Sequence, residues 1–182
     1  MAVYIRIIGI RKLDSIENEQ MRLTQILDSI KLNLKFINEK SINAKWNLNI
    51  TEYKKYFELK LFEHSLQIHF DNKNFIEFLG SEGWDIRDFG SDKQNIDYLN
   101  GIKDIFRLIA ESYGIKELIY FSECFFDPDG IREGESTFED FLELIKLNPN
   151  SMRTELYELK TSEYYIESIN PVANICQHLR IK

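Results

Sequence analysis

The chain has 182 residues, of which 43% are hydrophobic and 13% aromatic, and it carries 30 acidic against 23 basic side chains. This composition supplies enough apolar side chains for a core and excludes a disordered chain. No apolar run approaches the roughly 18 residues that span a bilayer, and the N-terminus lacks the charge order of a signal peptide. We therefore expect one soluble cytoplasmic domain over residues 1–182.

The acidic charge is concentrated after residue 70. Residues 1–70 hold 11 basic and 8 acidic side chains, whereas residues 71–182 hold 12 and 22. Such an excess of acid repels nucleic-acid phosphates and attracts a basic partner, although acidic side chains also serve solubility alone. The charge pattern therefore predicts no direct binding to nucleic acid.

The first thirty residues predict a strand followed by a helix. Residues 3–10 are mostly apolar on both alternating faces, which is typical of a strand inside a sheet. We expect Ser15 to act as the N-cap of the helix. The apolar stripe of this helix is interrupted by Gln20 and comprises Ile16, Leu23, Ile26, Leu27 and Ile30.

Residues 32–70 predict a series of antiparallel strands. Apolar and polar side chains alternate with a period of two over residues 32–36, 46–50, 53–61 and 66–70. Alternation of this kind indicates strands with one buried and one exposed face, joined by short polar hairpin connections.

Residues 71–80 allow two interpretations. Asp71 or Asn72 can cap a short helix through residues 75–79, which Gly80 would end. Alternatively, residues 71–74 form a hairpin turn and residues 75–79 the returning strand. We favour the helix, because adjacent apolar residues suit a helix face better than they suit alternation.

The longest periodic pattern runs from residue 91 to residue 114. Its apolar residues, at three- and four-residue spacing, are Ile96, Leu99, Ile102, Phe106, Ile109 and Tyr113. Ser91 or Asp92 can cap the start of this central helix, and Gly114 can end it in a left-handed conformation. Residues 116–122 then predict a strand.

A turn and a further helix are predicted after this strand. In residues 126–130, Pro128 and Gly130 occupy the second and fourth positions that a type I turn favours. Ser136 and Glu139 have the spacing of a capping box, which predicts a helix over residues 136–147.

The remaining chain predicts two more strands, near residues 153–160 and 164–169. Taken together, the elements predict an α+β fold with a largely antiparallel sheet. We expect about seven or eight strands, mostly from the N-terminal half, packed by three or four helices.

Residue patterns that commonly mark catalytic or metal sites are missing. Cys124 and Cys176 are distant and outside any CxxC pair, so we expect two reduced, partly buried thiols. The histidines His64, His69 and His178 lack the spacing of a metal-binding helix. Phosphate-binding glycine loops and the serine-hydrolase elbow do not occur. We therefore predict no catalytic residue, no metal and no cofactor.

One pattern nevertheless suggests metal-dependent hydrolysis. Glu58 and Lys60 form a Glu-x-Lys pair on a predicted strand, as do Glu158 and Lys160. This spacing resembles that of metal-dependent nucleases of the PD-(D/E)xK type, in which carboxylates hold Mg²⁺ and the lysine positions water. Two such pairs are close to the number that this composition gives by chance.

Two acidic segments are the candidate partner-binding residues. A loop over residues 80–92 offers Glu82, Trp84, Asp85, Asp88, Phe89 and Asp92, and the segment after residue 126 offers Asp127, Asp129, Glu133 and Glu135. Aromatic residues supply contact area and acids steer association. Alternatively, the two aromatic residues of the loop pack inward onto the central helix. The second segment alternates like a Ca²⁺ loop but has Arg132 where the EF-hand requires glycine.

The sequence thus predicts a non-enzymatic protein that binds a basic protein partner through an acidic surface. Immunity proteins, antitoxins and phage inhibitors that mask a nuclease or another nucleic-acid-binding protein fit this description. A metal-dependent hydrolase using Glu58 and Lys60, or a structural assembly subunit, are the alternatives.

Overall fold

The computed structural model describes residues 5–12, 15–32, 45–61, 65–80, 93–156 and 159–169. The helices are α1 (Ile16–Ser29), α2 (Lys93–Tyr113), α3 (Pro128–Glu133) and α4 (Phe138–Leu147). The strands are β1 (Ile5–Ile10), β2 (Trp46–Ile50), β3 (Lys55–Lys60), β4 (Ser65–His69), β5 (Phe75–Gly80), β6 (Glu117–Ser122), β7 (Met152–Arg153) and β8 (Tyr164–Ser168). Among these helices, none has the length and apolarity needed to cross a bilayer.

The eight strands form one sheet in the order β2-β3-β4-β5-β1-β6-β8-β7. Every neighbouring pair is antiparallel except β7 and β8, which run parallel. The predicted α+β fold with a largely antiparallel sheet is therefore confirmed. The first strand lies between β5 and β6, as its apolar character on both faces predicted.

Each face of the sheet is covered by its own set of helices. Ile7 of β1 belongs to a core with Leu23 of α1 and Phe106 of α2. The next residue, Ile8, belongs to a second core with Phe141 of α4. Because successive side chains of a strand point to opposite faces, α4 lies on the opposite side of the sheet from α1 and α2.

The start of α1 and the end of α2 agree with the sequence prediction, whereas the predicted caps of α2, Ser91 and Asp92, lie outside the described residues. The hydroxyl of Ser15 accepts a hydrogen bond from the amide of Asn18 at 3.2 Å and caps α1. Gly114 follows α2 with φ of 80°. In this left-handed conformation its amide bonds to the carbonyl of Glu111 at 3.1 Å, which ends the helix.

The helix predicted over residues 75–79 is wrong, and the hairpin interpretation is correct. Residues 75–80 form β5, which pairs with β4 and β1. Phe75 belongs to the second core and Ile76 to the first. Adjacent apolar residues occur here because both faces of a central strand are buried.

The segment after β6 is more helical than the sequence predicted. The turn at residues 127–130 exists, with the amide of Gly130 bonded to the carbonyl of Asp127 at 3.2 Å, but it continues as α3. The capping box of α4 uses Thr137 and Asp140 instead of Ser136 and Glu139. Asp140 is long enough to return a bond to the N-cap amide, so the box is shifted by one residue.

Two other predicted strands have different outcomes. Of the strand predicted near residues 153–160, Met152–Arg153 form β7 and residues 154–155 are bends, whereas residues 157–158 lie outside the described residues. The strand near residues 164–169 is confirmed as β8. The strand predicted over residues 32–36 lies, except for Leu32, outside the described residues.

The close approach of Gly9 to Ile115 gives a test of the packing between β1 and the end of α2. A Cβ at residue 9 would lie 2.7 Å from Cδ1 and 2.9 Å from Cγ2 of Ile115, which is 3% exposed. We expect Gly9→Ala to lower the free energy of unfolding by roughly 1–3 kcal/mol, measured by urea denaturation.

The matched background for this test is Ile115→Ala, which removes the crowded methyl groups. We expect Gly9→Ala to cost clearly less stability in that background than in the wild type, because the clash is absent. Equal costs in the two backgrounds would contradict this packing.

Candidate functional site

A network of charged side chains connects α3 to the middle of the sheet. The network comprises Arg6, Lys54, Asp71, Glu77, Asp127, Asp129 and Arg132. Asp127, Asp129 and Arg132 come from α3 and its N-cap, whereas the other four come from the sheet and its hairpin loops. The sheet face that carries the second core therefore has two parts, the apolar core itself and the charged network beside it.

Glu77 lies at the centre of the network. Its side chain has no solvent exposure, and Arg6 Nη1 donates to its Oε1 at 3.1 Å. Arg132 Nη2 donates to its other carboxylate oxygen. A buried carboxylate is costly unless it is paired and hydrogen-bonded, and here one guanidinium serves each oxygen.

The two arginines also connect α3 to the sheet. Arg6 Nη2 donates to Asp129 at 2.9 Å and approaches Asp127 at 3.4 Å. Arg132 reaches back to Asp129 at 2.5 Å and across to Asp71 at 3.3 Å. Glu77 bridges two cations and Asp129 three, and these shared ion pairs fix α3 in position.

The pKa shifts reflect this pairing. Burial alone would raise the pKa of Asp129, but the hydrogen bond and charge of Arg6, together with Arg132, hold it well below its usual range. Burial alone would lower the pKa of Arg132, yet attraction by Glu77 and Asp71 raises it. These groups therefore stay charged at neutral pH.

A second polar group lies on β3 and β4. His69 Nε2 is 3.0 Å from Oε1 of Gln67, and its ring stacks on Tyr56 with centroids 4.8 Å apart. Glu58 accepts hydrogen bonds from Ser65 at 3.0 Å and from Gln67 at 3.4 Å. The imidazole is 3% exposed, and its Nδ1 has no hydrogen-bond partner.

Glu58 and Lys60, the predicted hydrolase pair, are on this strand. Their side chains approach to 3.9 Å, and Lys60 is 73% exposed. Across the described ranges, no three His, Cys, Asp or Glu side chains converge in a way that would hold a metal ion. Glu158 lies outside the described residues, and the hydrolase alternative stays a prediction.

The exposed side of α3 and α4 is acidic. The exposed carboxylates that we call the acidic surface are Glu133, Glu135, Glu139, Asp140 and Glu143. Residues 133–143 contain no basic side chain. On α4, Phe138 and Phe141 face the second core, so Glu139 and Glu143 point away from it.

The structure separates the predicted partner-binding residues into three groups. Asp127 and Asp129 belong to the charged network, whereas Glu133 and Glu135 are exposed on the acidic surface. The loop residues Glu82, Trp84, Asp85, Asp88, Phe89 and Asp92 lie outside the described residues.

The thiol of Cys124 is free and more exposed than predicted, and Cys176 also lies outside the described ranges.

Sequence reasoning did not single out Arg6, Glu77 or Arg132. A usable signal was present, since Arg6 and Glu77 are the lone charged residues of two strands that are otherwise apolar. A charge inside a buried strand needs a partner, and the two strands are neighbours.

Comparison of the chain with protein-family models, with curated proteins and with solved structures finds no match in any of the three.

We expect Arg132→Met to destabilise the protein strongly. The substitution leaves Glu77 and Asp71 with one cationic partner fewer in a buried setting, which costs roughly 3 kcal/mol. Urea denaturation measures the loss. As a control, Glu77→Gln should cost less in the Arg132→Met background than in the wild type, and additive losses would argue against coupling.

The buried imidazole predicts a loss of stability in mild acid. Burial, followed by the positive charges of Arg132 and Lys54, lowers the pKa of His69 to about 3. An unfolded histidine titrates near 6.5, so between about pH 6.5 and 3 the unfolded chain binds the extra proton. The contribution of the neutral His69 to the free energy of unfolding is fully present above about pH 6.5, and roughly 2 kcal/mol of it is lost by pH 5.

Urea denaturation at pH 7, 6 and 5 checks this expectation. His69→Gln should reduce the pH dependence over that range, whatever it does to stability at pH 7. Tyr56→Leu removes the stacked ring but keeps the histidine, and should retain the pH dependence. If His69→Gln left the slope unchanged, the buried neutral imidazole would be ruled out.

Proposed function

We propose that this protein is a non-enzymatic binding protein whose acidic surface, on α3 and α4, docks a basic protein partner. An immunity protein, antitoxin or phage inhibitor directed at a basic nuclease is the biological class that this arrangement suits. The observation that carries the proposal is the set of five exposed carboxylates on one continuous segment without a basic side chain among them.

The spacing on α4 supports a role in binding. Glu139 and Glu143 are four residues apart on the exposed face of the helix. Like charges at this spacing destabilise a helix by roughly 0.2–0.5 kcal/mol. A cationic partner would relieve this repulsion, since its lysine and arginine side chains would lie between the two carboxylates.

Apolar residues at the end of α4 extend the surface. Leu147 is 72% exposed, and Met152, which directly follows the turn of Pro149–Ser151, is 50% exposed. Leu147 follows Glu143 by four residues and thus shares its face of α4. Interfaces commonly combine apolar contact with a charged rim, and this end of α4 offers both.

The charged network gives the acidic surface a fixed geometry. Asp127 and Asp129 hold α3 against the sheet, so we assign them a positioning role and place the contacts on Glu133, Glu135 and α4. A rigid surface binds with a smaller loss of conformational entropy than a mobile one.

We expect Glu139→Lys/Glu143→Lys to weaken partner binding roughly tenfold at low salt, because two attractive contacts become repulsive. The control is Asp28→Lys/Glu52→Lys, which changes the net charge by the same amount at exposed positions away from α4. Wild type and both variants serve as baits in lysate of the source organism, and quantitative mass spectrometry identifies what each retains.

The retained protein is then purified and titrated against all three baits at 50 and 300 mM salt. The proposal requires one basic protein that binds wild type and control alike, binds the α4 variant more weakly, and loses affinity with salt. Equal affinity for all three baits, or no protein that distinguishes them, would overturn it.

A further inference from the structure

A cavity of about 580 Å³ lies where the end of α2 meets α1 and the end of β1. Its lining residues include Arg11, Lys12, Arg22, Tyr113 and Lys116. This volume is within the range of about 300–1,000 Å³ that is typical of ligand pockets. We call it the basic cavity.

The basic cavity has a local charge that is opposite in sign to the net charge of the protein. Arg11, Lys12, Arg22 and Lys116 contribute four positive charges, whereas the chain has a net charge of −7. Among the described lining residues Glu117 carries a carboxylate, and Glu19 pairs with Arg11 at 2.5 Å. Two positive charges remain after both carboxylates are counted.

Stabilisation of the end of α2 does not account for this excess. A helix C-terminus carries the equivalent of about half a negative charge, which one cation within the last turn satisfies. Two of the carbonyls there are already bonded, because Gly114 and Ile115 donate to Glu111 and Ala110 at 3.1 and 2.9 Å. The lining residues therefore carry more positive charge than the end of the helix accounts for.

Tyr113 holds two of these cations in place. The guanidinium carbons of Arg11 and Arg22 lie 4.4 and 4.8 Å from the centre of its ring. Tyr113 itself is 3% exposed and fixed in the first core. Cation–π contact with a fixed ring orients both guanidinium groups before any ligand arrives, which lowers the entropic cost of binding.

The geometry points to a binding site for a small polyphosphate anion, the di- or triphosphate group of a nucleotide being the chemical class that fits. Guanidinium groups bind phosphate oxygens in pairs, and lysines add mobile point charges at the rim. Several cations around one open cavity favour a ligand with several negative charges close together. This site shares no lining residue with the acidic surface, and the inference does not depend on the proposed partner.

Isothermal titration of the full-length chain at 50 mM salt tests the proposal. The probes are inorganic pyrophosphate, ATP without divalent metal, and citrate as a tricarboxylate of similar charge. We expect saturable binding of pyrophosphate and ATP with one ligand per chain, and weaker binding of citrate. ATP binding more tightly than pyrophosphate would assign the ligand to the nucleotides, and equal affinity to phosphate chains in general.

Arg22→Gln/Lys116→Gln should lower the affinity for pyrophosphate roughly tenfold, since both side chains are exposed and their loss spares the core. The control Lys31→Gln/Lys146→Gln removes the same charge at exposed positions elsewhere. Circular dichroism establishes that both variants are folded. Absence of saturable binding, citrate binding as tightly as pyrophosphate, or equal losses in both variants would overturn the proposal.

Discussion

One fully buried carboxylate, Glu77, fixes the arrangement on the second face of the sheet. Removing a carboxylate from water costs several kcal/mol, and this cost must be offset by cations and hydrogen bonds within the fold. Arg6 approaches from β1 and Arg132 from α3. The sheet therefore requires α3 at this position, because without Arg132 one oxygen of the carboxylate loses its donor.

This requirement extends from the buried charge to the surface. Arg132 ties α3 to Glu77, and Asp127 and Asp129 then bind Arg6 from the beginning of the same helix. Gly134 ends α3 with φ of 79°, and Thr137 caps α4 three residues later. Because these connections are short, the network sets where α4 lies and in which direction its exposed carboxylates point. The acidity of the surface is a property of the sequence, but the geometry of the surface depends on the buried ion pair of Arg132 and Glu77.

The sequence predicted the elements whose pattern is local. The periodicity of α2, the Ser15 cap and the alternation in β2, β3 and β4 each occur within a few residues, and the structure confirms them. The pairing of Arg6 with Asp129 spans 123 residues, and no local pattern records it. The error at residues 75–79 has the same origin, because Phe75 and Ile76 are both apolar only on account of the two cores that enclose them. The acidic segment after residue 126 was visible in the sequence, but separating its positioning carboxylates from its exposed ones required the partners of each.

The distribution of charge across the sheet explains how a chain of net charge −7 can carry a basic cavity. The cavity was not visible in the sequence, since Arg11, Arg22 and Lys116 come from separate elements that are distant along the chain. The fold brings them together around Tyr113, on the side of the sheet that α1 and α2 cover. The acidic surface belongs to α3, α4 and the residues between them, and α4 packs on the face of the sheet that carries the second core. Exposed charges that lie further apart than the Debye length, about 8 Å at physiological ionic strength, are largely screened from each other. A basic partner on α4 and a polyphosphate held by Arg11, Arg22 and Lys116 would contact different elements of the fold, so the two can bind the same molecule without sharing a side chain.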